Sequence, residues 1–124
     1  MAEYKSLEEI NEYIDIAGAL DRVRGNKTLY RRMLNLFLQS AEFAAFEESL
    51  AANDNNRCCE VIHGIKGMTG NLSLNKLFEL SADLNTKFKN DVRDDTTVEE
   101  YRLVLTQTLA CVESAIKLMD EGKL

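Results

Sequence analysis

The sequence predicts an all-α protein, an antiparallel four-helix bundle with short additional helices at its N-terminus. Three observations carry this expectation. The 124 residues include no proline and only 6 glycines, so few positions resist a helix. Apolar side chains recur at alternating steps of three and four through the second half of the chain, the spacing of one helix face. The interruptions are short and polar and carry cap residues, a pattern that favours antiparallel neighbours. No segment shows the two-residue alternation of a half-buried strand.

The elements follow in order. Ser6 to Glu9 has the Ser-x-x-Glu form of a capping box and opens a short helix. Asp15 is placed to cap a second one bearing Ile16, Leu20 and Val23, which Gly25 ends. Asn26 then opens a long helix over roughly 27–52, with a wide apolar band of Leu29, Tyr30, Met33, Leu34, Phe37, Ala41 and Ala44. So wide a band predicts contact with more than one neighbour. Asp54 is expected to cap a helix over about 55–71 with the stripe Cys58, Ile62, Ile65, Thr69 and Leu72. Ser73 is expected to cap the next, from 74 to about 90, with the stripe Leu74, Leu77, Ser81, Leu84 and Phe88. Thr96 to Glu99 reads as a second capping box before a last helix carrying Val98, Tyr101, Leu105, Thr108, Val112, Ala115 and Met119. One domain over 1–124 results, with the short helices in 1–25 and the bundle in 26–121.

Composition excludes several classes of function. Apolar residues make up 45%, too many for a disordered chain. The net charge of −6 and the lack of a basic run argue against nucleic acid as a partner. No segment approaches the roughly 18 apolar residues that span a bilayer, and Met1 to Ser6 has no apolar signal core. Three cysteines, Cys58, Cys59 and Cys111, give no disulfide framework and fit a reducing compartment. The expected location is the cytoplasm. Cys59 and His63 are four apart, but two ligands do not make a zinc site, and no metal or other cofactor is expected.

Chemistry concentrates in one segment, His63-Gly64-Ile65-Lys66-Gly67-Met68-Thr69-Gly70-Asn71-Leu72. It holds the only histidine and three of the six glycines, while the apolar stripe runs straight through it. Glycine inside a helix costs about 1 kcal/mol relative to alanine, so three cost roughly 2–3 kcal/mol. A functional gain should offset that. His63, Lys66, Gly67 and Gly70 fall on one helix face, which puts a histidine, a lysine one turn on and bare backbone side by side. A neutral imidazole is a nucleophile near pH 7. The lysine disfavours the imidazolium, and after transfer it balances an anionic phosphoryl group. Gly67 leaves room for a reacting partner.

The string His63-x-x-Lys66-Gly67, with Thr69, Gly70 and Asn71-Leu72 behind it, resembles the signature of histidine phosphotransfer (HPt) domains. The likeness extends over Asp15 to Leu50, with Leu29-Tyr30 and Leu36-Phe37-Leu38, and over the two helices that follow the signature. The resemblance implies a bundle with the active histidine exposed midway along a helix. It implies a phosphocarrier without ATP chemistry, whose His63 accepts a phosphoryl group from a receiver aspartate and passes it to another receiver. The implied partners are response-regulator receivers and a hybrid sensor kinase. The resemblance also implies a polar residue on the next helix facing the histidine, at Asn85 where glutamine is common, and a basic one at Lys89. Gly64 departs from the larger residue usual after the histidine. A monomer is expected, because self-association through the His63 face would block traffic. The competing reading is a helical adaptor that kept the fold without carrying phosphate. A sensor-kinase dimerisation segment fits less well, because it usually follows its histidine with an acidic residue and a proline.

Overall fold

A computed structural model describes residues 4–124. Seven helices occur among them: α1 Leu7–Tyr13, α2 Ile16–Arg22, α3 Lys27–Leu38, α4 Glu42–Ala51, α5 Asn55–Asn71, α6 Asn75–Lys89 and α7 Asp95–Asp120. There is no strand among the described residues. α3 and α4 together form one edge of a four-membered bundle, and α5, α6 and α7 complete it. α5 packs between α4 and α6, α6 between α5 and α7, and α7 closes the ring against α3. Connections of a few residues reverse the chain at each corner, so neighbours run antiparallel. α1 lies outside against α6 and α7, and α2 beside α3.

Most caps fall where the sequence places them. Ser6 and Glu9 exchange side chain and backbone at 3.2 and 3.3 Å. Asp15, Asn26 and Asp54 accept from the backbone N–H three residues on, at 3.0–3.1 Å. Gly25 ends α2 at φ +75°. Two caps differ. The residue before α6 is Leu74, with no side-chain cap, and the buried Ser73 instead makes the turn at φ 59°. α7 starts two residues earlier than the Thr96–Glu99 box, capped by Asp94, whose Oδ1 accepts from the Thr97 N–H at 3.2 Å.

The long helix expected over 27–52 is broken between Leu38 and Glu42. At the break the Ser40 hydroxyl accepts from the Glu42 N–H at 3.2 Å, a local bond that competes with the helical ladder. The break re-phases the buried face. Tyr30, Leu34 and Phe37 are buried on α3, but the residues buried on α4 are Phe46, Ser49 and Leu50, and Ala41 and Ala44 are exposed. Leu29, also expected in the band, is exposed. The apolar band was wide because it belongs to two helices with different faces.

The stripes of α5 and α6 are buried at every expected position, from Cys58 to Leu72 and from Leu74 to Phe88. On α7 all the expected positions are buried except Leu105 and Met119, which are half-buried. Phe46 meets Tyr101 and Phe88 edge-on, with ring centroids 5.1 and 6.1 Å apart, and so locks α4 to α7 and α6. At the other end the Tyr30 hydroxyl donates to the Leu72 carbonyl at 3.0 Å.

Asp94 also pairs with Lys87 at 2.8 Å, and this contact holds its carboxyl down at about 2. A depressed carboxyl pKa adds stability that is complete above the ordinary value and is lost as pH falls towards the folded one. Asp94→Asn keeps a capping oxygen but cannot titrate. Its Tm should therefore fall less steeply than that of the parent between about pH 4 and pH 2, as thermal melts across that range will show.

Candidate functional site

α5 supplies the centre. His63 is the middle residue of this 17-residue helix, exposed, with the fully buried Ile62 and Ile65 anchoring the helix beneath it. The buried Thr69 hydroxyl donates back to the Ile65 and Lys66 carbonyls at 2.9 and 3.0 Å, so it demands nothing of its apolar neighbours. The last turn of α5 has no basic residue of its own. The Arg22 guanidinium of α2 donates to the Gly70 carbonyl and supplies a cation to that end.

His63 stands between two open clefts along the α5–α6 boundary. One is lined by His63, Lys66, Gly67, Gly70, Asn71 and Phe78. The other is lined by Asn56, Cys59, Glu60, His63, Asn85, Phe88 and Lys89. The four residues that the sequence put on one face are therefore together, and Lys89 shares a cleft with the histidine. Lys76, Lys87, Lys117 and Lys123 are in ion pairs. Lys66 and Lys89 have no such partner among the described residues, which leaves two cations available beside one imidazole.

The three glycines of this segment are not equivalent. A Cβ on Gly67 would meet nothing within 4 Å, so that face is open. A Cβ on Gly70 would lie 3.2 Å from the Phe78 ring: the bare backbone there lets α6 approach and forms the cleft floor. A Cβ on Gly64 would lie 3.3 Å from the Glu42 carboxylate, which rests on α5 at this point.

Asn85 lines the same cleft as His63 and Lys89, and it is buried there. Its Nδ2 donates to the Cys59 carbonyl at 3.3 Å and lies 3.6 Å from the Cys59 Sγ. It ties α6 to α5 one turn before His63. The signal was present in the spacing: Ser81, Leu84, Asn85 and Phe88 stand at steps of three, one and three, so residue 85 adjoins the core stripe. Glu60 and Asn56, one and two turns before His63, were legible by the same rule. Phe78 enters the site only through its packing against the bare backbone of Gly70, and nothing in the sequence linked Glu42 to the site.

The thiols of Cys58, Cys59 and Cys111 are free, and burial pushes those of Cys58 and Cys111 up. No group of three or more histidine, cysteine or acidic side chains stands close enough to hold a metal among the described residues. Nor is any helix among them long and apolar enough to cross a membrane.

A helical bundle with a solitary exposed histidine at mid-helix is the geometry that the resemblance implied. The family model for the Hpt domain matches residues 32–116, from within α3 to near the end of α7. The chain belongs to the Hpt domain family. Hpt domains are phosphocarriers of phosphorelays, working with response-regulator receivers and not as enzymes in their own right. The matched span of this Hpt domain contains both clefts and every candidate residue, and leaves α1 and α2 outside. Comparison with curated proteins and with solved structures gives no significant match.

Proposed function

We propose that this Hpt domain accepts a phosphoryl group on His63 from a receiver aspartyl phosphate and passes it to the aspartate of another receiver. The observation that supports this best is the exposed His63 at the centre of α5, beside a Gly67 whose side-chain space is open. An imidazole nitrogen forms the N–P bond as the acyl O–P bond breaks and the aspartate leaves as its carboxylate; the return step reverses this. Lys66 and Lys89 balance the anionic charge that arrives. Gly67 gives the in-line approach its room, Gly70 shapes the cleft floor through Phe78, and Asn85 positions α5 through Cys59. The protein acts as a monomer and in the cytoplasm, with its His63 face open to each receiver in turn.

Incubation with phosphorylated receivers encoded in the same genome tests this. The expected product is a label on the chain that is acid-labile and base-stable, which peptide mapping places on His63. A chain that binds receivers but takes up no label is instead an adaptor that kept the fold.

A further inference from the structure

Two acidic side chains among the described residues are half-buried, Asp94 and Glu42; the others are exposed. Asp94 is satisfied by Lys87 and by Thr97. Glu42 has neither an ion-pair partner nor a side-chain hydrogen bond among the described residues. A carboxylate without an internal counter-charge is free to take one from a partner. Glu42 opens α4, where the helix dipole tolerates a negative charge. Its side chain reaches across to α5 and rests over Gly64, the residue next to His63, with its Oε2 at 3.3 Å from where a Cβ would stand. A side chain at 64 would press on it and make it shift slightly. The His63 face is thus polarised: unpaired lysines on the α6 side, one unpaired carboxylate on the α4 side.

We propose that Glu42 selects the partner, receiving a lysine or arginine of the docking receiver at the α4 side of His63. The proposal rests on the phosphotransfer reading and adds to it a charge that discriminates among receivers. Its chemistry does not favour the transfer step itself, because a carboxylate repels an anionic phosphoryl group. The gain must come from the partner's cation, paired in a site already half closed to water. Charges at an interface rim act mainly on encounter and on its salt dependence.

The test uses the full chain, labelled on His63, with receivers of the same genome as acceptors at low and moderate salt. Glu42→Gln should raise the KM for the preferred receiver about 10-fold, the lower range for loss of a charge-assisted contact. The rate at saturation should stay within about twofold and the salt dependence should flatten. Glu42→Lys should raise KM further and reorder the preference among receivers. An unchanged KM in both variants overturns the proposal and leaves phosphotransfer standing. So does a fall in saturated rate at constant KM, which would place Glu42 in the chemistry. A lower Tm with unchanged KM would make it a structural charge only. Failure of the parent chain to take up any label removes the phosphotransfer reading and this proposal with it.

Discussion

Gly67→Leu should slow acceptance of phosphate by His63 at least tenfold while the protein melts no lower than the parent. The two halves of this result have separate causes. On the side of stability, leucine replaces a glycine in a helix interior and gains roughly 0.5–1 kcal/mol of helix propensity. Its Cβ meets no obstacle, since no heavy atom stands within 4 Å of that position. On the side of function, the leucine sits one turn beyond His63 on the same face and fills the approach to the imidazole. In-line transfer requires reacting atoms within about 3–3.5 Å, so a small obstruction is expensive. A thermal melt and a transfer time course on one sample measure both. A lower Tm with normal transfer per folded molecule would show Gly67 to be a structural glycine and would remove the steric argument.

Lys66→Ala should slow transfer by about 10- to 100-fold with little change in folding. Lys66 lines the cleft with His63 and Gly67 and has no ion-pair partner among the described residues, so its loss orphans no internal carboxylate. Alanine is also a better helix former. What disappears is a charge-assisted contact to the phosphoryl group, worth roughly 1.5–3 kcal/mol, which sets the expected rate loss if the contact acts in the transition state. Lys89 lines the cleft on the other side of the imidazole, and the double variant Lys66→Ala, Lys89→Ala is expected to lose the activity that persists. Transfer kinetics indistinguishable from the parent would take Lys66 out of the site.

The fold was largely legible because its determinants are local. Ile62, Ile65 and Thr69, or Leu77, Ser81 and Leu84, announce a buried face through spacing alone, and Asp15, Asn26 and Asp54 announce helix starts through side chains that bond three residues on. The break at 39–41 was not legible, because the residues around it have ordinary helix propensity and the deciding bond is a serine hydroxyl taking one N–H. The same division runs through the site. Residues on α5 sort themselves by helical geometry, so His63, Lys66, Gly67 and Gly70 could be grouped without a structure. The purposes of the glycines could not, since each depends on what another helix places opposite: open space at Gly67, a ring at Gly70, a carboxylate at Gly64. The particular partner of Asn85 was not legible for a related reason: its register put it against α5, but only the packing shows that the Cys59 carbonyl accepts its amide.

The crease between α3 and α4 divides one edge of the bundle into rods of 12 and 10 residues. Helices of that length are marginal on their own in water, so each persists only through what it leans on. The supports differ. α3 is pinned through the Tyr30 bond to Leu72 and the Arg31–Asp120 pair, and α4 through the Phe46 rings and the Glu47–Arg102 pair. α4 also begins at Ala41 without a side-chain cap. The two sets of anchors share no residue, so loss of one does not by itself remove the other, and hydrogen exchange is expected to register α3 and α4 as separate opening units.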